Sequence, residues 1–295
     1  AYEIEVRDVW AGKVVWNSGK VKSAQSQLVS CADAALEKDR HYTWRVRVWD
    51  EADTPSAWSA PSDFSILTSE AAFAGSEWIG AITRKDARIP EGRKYHGSEL
   101  KKPEAKAAWA AVDTLAKKSI YLRREFYVAK KVKDATAYVC GLGFYEFSLN
   151  GEKVGDSEFA PLWSDYDKSV YYNTYDVTSQ VKKGGNAIGV LLGNGFYNVQ
   201  GGRYRKLQIS FGAPTLRFRM VVNYEDGTCE TIVSGKDWKY DFSPVLFNCI
   251  YGGEDYDARR EQKGWNMFGF KEQDWHPVVI QEAPKGVLRP QIAQP

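Results

Sequence analysis

Three groups of carboxylates in this chain have the type and closeness that sugar-bond hydrolysis needs: Asp156 with Glu158, Asp165 with Asp167, and Glu254 with Asp255 and Asp257. Two carboxyl groups about 5 to 10 Å apart can act on opposite sides of a glycosidic bond, one protonating the leaving oxygen and one acting as base or nucleophile. Each group also has a plainer role. Gly155-Asp-Ser157 and Ser164-Asp-Tyr-Asp167 are turn formers. Arg259 and Arg260 follow Glu254-Asp-Tyr-Asp257 closely enough to form structural ion pairs. Turns and ion pairs are the expectation for all three, and no catalytic residue is assigned.

The chain has three histidines, His41, His96 and His276, far apart and without H-x-x-x-H spacing. Neither a zinc site nor a nucleophile–histidine relay is expected from them. Gly193-Asn-Gly195 lacks a third glycine and leaves a strand without opening a helix, so it does not read as a phosphate cradle. Its glycines are expected to give a loop the positive φ it needs. Trp163 follows Pro161 in a loop, and an exposed indole offers an apolar face to a pyranose ring. Trp163 and Tyr197 are therefore the candidates for stacking on a sugar, with Asn194 for a hydroxyl or a bound cation. The competing role for Trp163 is packing against a neighbouring domain.

Composition narrows the classes that could carry such a site. With 40 basic and 38 acidic residues the net charge is +2, which leaves no electrostatic footprint for nucleic acid. No apolar run approaches the roughly 18 to 20 residues of a membrane-spanning helix, and no leader peptide is visible. The 11 Trp, 17 Tyr and 13 Phe favour sheets, and most of those rings are expected in a core. Cys31, Cys140, Cys229 and Cys249 show no C-x-x-C spacing and are expected as free thiols.

The elements that must position these residues read as strands. Residues 1–68 alternate with period two, giving five expected strands, among them Leu28–Val29 and Tyr42-Thr-Trp-Arg-Val-Arg-Val48. In the latter, Tyr42, Trp44, Val46 and Val48 are expected inside, with Arg45 and Arg47 outside. Leu36 followed by Tyr42 suggests a tyrosine corner, in which the phenol ties back to the preceding loop. A fibronectin type III sandwich has seven strands over roughly 100 residues, so two strands are expected to precede Ala1. Residues 69–118 read as a linker with one helix at 103–118, where Trp109, Val112 and Ala116 share a face. From 119 to 281, short apolar runs punctuated by Asn150-Gly151, Lys183-Gly-Gly-Asn186 and Glu225-Asp-Gly227 point to a second sandwich of jelly-roll or galactose-binding type. The fold class expected is all-β.

Several long phrases add a resemblance to this reading. Phe144-Tyr-Glu-Phe-Ser-Leu-Asn-Gly151, Tyr171-Tyr-Asn-Thr-Tyr-Asp-Val-Thr178, Leu192-Gly-Asn-Gly-Phe-Tyr197 and Tyr256-Asp-Ala-Arg259, in this order along the chain, resemble the N-terminal β-domain of bacterial α-L-rhamnosidases. Val46-Arg-Val-Trp-Asp50 and Trp58-Ser59 resemble the fibronectin-like module in front of that domain, and Leu288-Arg-Pro-Gln-Ile-Ala293 resembles a connector, so that 282–295 would lead into a further domain. The resemblance implies an inverting glycoside hydrolase that removes terminal rhamnose, with its catalytic carboxylates on a downstream helical barrel. It implies that this chain is the non-catalytic front end and has that catalytic domain as its partner. It leaves a rhamnose-containing glycan and calcium as open ligands. The compartment stays open, with periplasmic or secreted slightly favoured over cytoplasmic. The alternative is a free-standing carbohydrate-binding or adhesion protein.

Overall fold

A computed structural model describes residues 1–9, 11–31, 33–37, 40–66, 70–90, 94–201, 203 and 207–291. The chain divides into two compact units, Ala1–Thr68 and Ser69–Pro295. The first holds the strands β1 (Tyr2–Asp8), β2 (Lys13–Asn17), β3 (His41–Val48) and β4 (Ser62–Ser65). The second begins with β5 (Ile79–Gly80), β6 (Lys94–His96), a helix α1 (Pro103–Ala110), β7 (Ile120–Val128), β8 (Val132–Leu142), β9 (Tyr145–Leu149) and β10 (Glu152–Lys153). There follow β11 (Ser169–Asp176), β12 (Gly184–Leu192), β13 (Asn198–Val199), β14 (Leu207–Ser210), β15 (Thr215–Tyr224) and β16 (Cys229–Val233). The last strands are β17 (Lys239–Phe242), β18 (Val245–Cys249), β19 (Gly253–Tyr256), β20 (His276–Pro277), β21 (Val279–Ile280) and β22 (Val287–Pro290).

In the first unit the strands form one antiparallel sheet in the order β2-β1-β3-β4. The expected strand at Leu28–Val29 does not form: Leu28 is 96% exposed, has φ +54°, and no strand stands beside it. The tie expected at Tyr42 is present, since the Glu37 N–H donates to the Tyr42 hydroxyl at 2.7 Å and the Tyr42 ring is buried against Phe64. The two faces of β3 differ from the expectation. Trp44 and Val48 are exposed, whereas Arg45 and Arg47 are half-buried. The reason is a ladder of planar groups. Arg45 stacks over Trp58 at 4.6 Å, and Arg47 lies between Trp58 at 4.8 Å and Trp49 at 4.9 Å. Each arginine sits opposite a glutamate of β1, with Arg45 at 2.8 Å from Glu5 and Arg47 at 2.6 Å from Glu3. A guanidinium has a flat apolar face and a charged edge, so indoles can cover the face while carboxylates hold the edge.

The second unit is a sandwich. Its six-stranded sheet runs β10-β9-β12-β7-β17-β20 and its seven-stranded sheet β21-β5-β15-β8-β11-β22 with β16 on β15. The chain passes back and forth between the two sheets, and the inner faces meet in one core. Leu122, Phe147, Ile188 and Val190 come from one side and Val139, Leu216, Phe218 and Val222 from the other. Phe147 and Phe218 meet edge to face at 5.5 Å, the offset that ring quadrupoles favour. At the β9–β10 turn both Asn150 (φ +54°) and Gly151 (φ +86°) adopt the left-handed conformation that the Asn-Gly pair predicts.

Both outer faces of the sandwich are also covered, which explains the near-continuous apolar runs in its strands. On the seven-stranded sheet, Phe73 packs on Tyr138 and Tyr172, while Arg217 and Arg219 donate to the carbonyls of Phe73 and Ala72. On the six-stranded sheet, segment 262–275 crosses as a strap. Trp265 stacks on Tyr121 at 4.0 Å, and the fully buried Arg123 donates to the carbonyls of Trp265 and Met267. Gly185 and Gly189 of β12 make room for it: a Cβ on Gly189 would lie 2.5 Å from Asn266 Cβ, and one on Gly185 2.3 Å from the Phe268 ring.

The expected helix at 103–118 is broken. After α1 the chain turns, and Asp113 caps a 3-10 turn at Thr114–Lys117 by accepting from the Leu115 N–H at 2.9 Å. Trp109, Val112 and Ala116 still face one side and are buried with Ala87, Ile89 and Ala213. All four cysteines are free thiols.

Candidate functional site

One end of the sandwich carries a cavity of about 500 Å³. It is built by the start of β9, the loop at 158–163, the loop after β12 and the β18–β19 hairpin. Ser119 and Asn248 lie at its polar part, and the Asn248 side-chain N–H donates to the Ser119 hydroxyl at 2.6 Å. Phe144 and Phe159 supply its aromatic wall. These rings continue into a larger cluster. Phe144 meets Phe159 at 5.4 Å and Phe196 at 6.2 Å, and Phe196 meets Trp163 at 5.4 Å and Tyr251 at 5.9 Å.

Phe159 (69%), Trp163 (62%) and Tyr251 (47%) are largely exposed for rings of this size. Phe159 also has φ +54°, a conformation that costs a bulky L residue about 1–2 kcal/mol. The loop thus holds an apolar ring outward against its backbone preference.

The loops around the cavity are fixed from behind. Gly143 (φ +128°) lets two backbones meet: a Cβ there would lie 2.0 Å from the Gly193 carbonyl oxygen. Asn194 is 2% exposed, and its side chain donates to the carbonyls of Lys117 at 3.0 Å and Asn248 at 3.3 Å while accepting from Asn198 at 2.8 Å. The Asn194 N–H donates to the Asn248 side-chain oxygen at 2.8 Å. Asn198, also buried, donates to the Ala116 carbonyl at 2.7 Å. This network joins the loop after β12 to the 114–117 turn and to the β18–β19 hairpin. A buried amide network of this kind is stable when its donors and acceptors are matched.

The charge around the cavity is one-sided. Glu146, Glu158 and Glu254 line it, and among the described lining residues there is no Lys, Arg or His. Glu158 is paired with Lys153 at 2.7 Å. The same field reaches nearby phenols. Burial pushes Tyr121 up to about 12, with the charges of Glu261 and Glu146 adding to it. Tyr256 is also raised to about 12, first by its hydrogen bond to Glu261 and in smaller part by Glu254.

The three candidate ligand residues separate in this arrangement. Trp163 stands on the exposed aromatic surface. Asn194 lies beneath it in the amide network. Tyr197 is buried, with its ring stacked on Phe211 at 5.8 Å and its hydroxyl donating to the Phe211 carbonyl at 3.3 Å. Tyr197 also lines a separate cavity of about 220 Å³ with Arg84, Tyr166 and Lys285.

Of the carboxylates, Asp165 closes a turn toward Lys168 at 3.2 Å, and Asp257 is held by Arg259 at 2.8 Å and Arg260 at 3.7 Å. Asp255 pairs with Arg203 at 2.6 Å. His41 lies on β3, and His276 packs on Tyr240 at 5.2 Å. Among the described residues no group of three or more His, Cys, Asp or Glu is placed to hold a metal ion, so no calcium ligand set is identified.

Sequence reasoning missed Phe144, Phe159, Phe196 and Tyr251. The signal was present in the doublets Phe144-Tyr145 and Phe196-Tyr197, each directly after a glycine. In both pairs one ring is buried and the other is half-buried in the aromatic cluster.

Residues 130–295 match the family model described as the alpha-L-rhamnosidase N-terminal domain. The chain belongs to that family. Residues 1–67 match a second model, the Rha78A-like N-terminal immunoglobulin domain. An alpha-L-rhamnosidase of Formosa agariphila is 38% identical over 268 residues, which is 88% of this chain and 27% of the relative. Two solved structures superpose over nearly the whole chain. The alpha-L-rhamnosidase from Dictyoglumus thermophilum has a TM-score of 0.74 at 34% identity, with 100% of this chain and 31% of that one covered. The Streptomyces avermitilis alpha-L-rhamnosidase, complexed with L-rhamnose, has a TM-score of 0.76 at 25% identity, with 97% and 42% covered. The α-L-rhamnosidase N-terminal region described here therefore spans less than half of each of these relatives.

Proposed function

We propose that the chain is the non-catalytic N-terminal portion of an α-L-rhamnosidase, an inverting glycoside hydrolase that removes terminal α-L-rhamnosyl residues from plant-type glycosides or polysaccharides. Residues 1–68 form the leading module and 119–281 the body of the sandwich; segment 69–118 adds β5 and segment 282–295 adds β22 to its seven-stranded sheet, the latter leading on to a downstream catalytic domain. The sandwich positions that domain and holds the sugar of the incoming glycoside at its aromatic end. The observation that carries this reading is the exposed ring surface around the cavity, in a chain matched by N-terminal rhamnosidase models. Apolar rings with a few nearby polar groups are what a pyranose requires. Trp163 is assigned the stacking contact. Asn194 and Tyr197 are assigned positioning roles, the first holding the loop that carries Phe196 and the second anchoring the strand edge behind it.

Titration calorimetry of the 295-residue chain with L-rhamnose, with and without calcium, tests the sugar contact. Millimolar binding that weakens at least about fivefold in Trp163→Ala is the expected result, and absence of heat at millimolar sugar would reduce the sandwich to a scaffold. Aryl α-L-rhamnosides should show no turnover with this chain. Turnover abolished by changing one of its own carboxylates would overturn the non-catalytic assignment.

A further inference from the structure

The cavity has a chemical bias that sugar stacking alone does not explain. Three carboxylates line it without a cation among the described lining residues. Lys153 is bound to Glu158, and Arg203 beside the hairpin is bound to Asp255. Glu146 and Glu254, both exposed, make no ion pair among the described residues. They face the same cavity as the rings of Phe144 and Phe159. A ligand entering here is met by apolar faces and by the negative charge of Glu146 and Glu254. An anion in that space would be repelled and would find no cationic donor among the described lining residues, so like-charge juxtaposition acts here as rejection.

We propose that the cavity is a subsite for an uncharged glycoside with an apolar face, and that Glu146 and Glu254 reject glycans bearing carboxylate or sulfate groups. The inference rests on the reading of this end of the sandwich as the sugar-holding surface, and adds which glycans it admits. Glu158 contributes less, because Lys153 neutralises it. Trp163, Phe159 and Tyr251 take the apolar face at the rim.

A pair of ligands differing only in charge isolates the effect. The chain is titrated with 4-carbamoylphenyl and 4-carboxyphenyl α-L-rhamnopyranoside, which have nearly the same shape. At low ionic strength the amide should bind about tenfold more tightly, between the roughly threefold expected for like charges about 6 Å apart in bulk water and the roughly hundredfold expected near a protein surface. The ratio should shrink in about 0.5 M salt, where exposed charges are screened beyond roughly 4 Å. In Glu146→Gln/Glu254→Gln the two ligands should come within about twofold of each other. Both positions are exposed, so the variant tests charge without disturbing a core. Equal binding of the two ligands by the unaltered chain, or tighter binding of the carboxylate, overturns the charge inference while leaving the sugar-holding reading intact. Failure of both ligands to bind overturns both.

Discussion

The two units solve the same problem, keeping a sheet ordered, by different physics. In the second unit two sheets share an inner core and each outer face is capped, so that Leu122, Val139, Ile188 and Phe218 are fully buried. In residues 1–68 the described strands form one sheet. One of its faces is organised by Trp49, Arg47, Trp58 and Arg45, with Glu3 and Glu5 beneath, and the other leaves Trp44 at 40% and Val48 at 52% exposure. Burial is cooperative and insensitive to salt, whereas stacked cations and ion pairs act locally and are screened. The sandwich should therefore fail by packing defects and the leading sheet by changes in charge.

Core truncation tests the contrast most severely. Phe218 lies between Phe147 at 5.5 Å and Trp238 at 5.4 Å. Phe218→Ala should cost about 3–5 kcal/mol in urea unfolding, while Trp44→Ala in the leading sheet should cost less than about 1 kcal/mol. Comparable losses at the two positions would erase the distinction.

The strap over the six-stranded sheet offers the next test. Gly189→Ala puts a methyl 2.5 Å from Asn266 Cβ and 2.9 Å from the Trp265 ring. A loss of about 1–3 kcal/mol is expected, with Trp265 fluorescence shifted to the red as its indole lifts from Tyr121. An unchanged spectrum would mean the strap is not seated on that face.

In the leading sheet, Trp58→Ala removes two stacked guanidinium contacts. Each is worth about 0.5–1 kcal/mol at a partly exposed site, so a loss of about 1–2 kcal/mol is expected. Hydrogen exchange at the β1–β3 amides should report it. Glu5→Gln should matter at low salt and little in 1 M salt.

The smallest effects are in pH, and they point opposite ways. Glu3 is held below its usual value, first by the Asn17 hydrogen bond and also by Arg47. A lowered carboxylate contributes stability above its unfolded value near 4.5, and loses it as pH falls through the folded value. Tyr121 is raised to about 12, chiefly by burial. A raised phenol contributes stability below its unfolded value near 10, and loses it as pH rises from there toward about 12. Protection from exchange in the leading sheet should weaken first in acid, and that around Tyr121 first in alkali.

Local rules went far with this chain. Period-two alternation identified β3 and the sandwich strands, Asn150-Gly151 fixed a turn by its need for two positive φ values, and Leu36…Tyr42 announced the tie at Glu37. Those features depend on neighbours close along the chain. What alternation could not decide was which face of β3 would be covered, because Trp58 is brought over Arg45 and Arg47 only when the segment at 55–59 returns alongside the strand. Nor could it place Asn194 inside or Trp163 outside: both sit in glycine- or proline-marked loops, Asn194 is drawn in by partners 54 and 77 residues away in sequence, and Trp163 is placed by its contact with Phe196 of another loop. Residue type and spacing settle backbone conformation through local sterics. The cavity, its acidic lining and its aromatic rim exist only because β9, β12 and the β18–β19 hairpin end at the same edge of the sandwich, and that meeting is a property of the packed sheets.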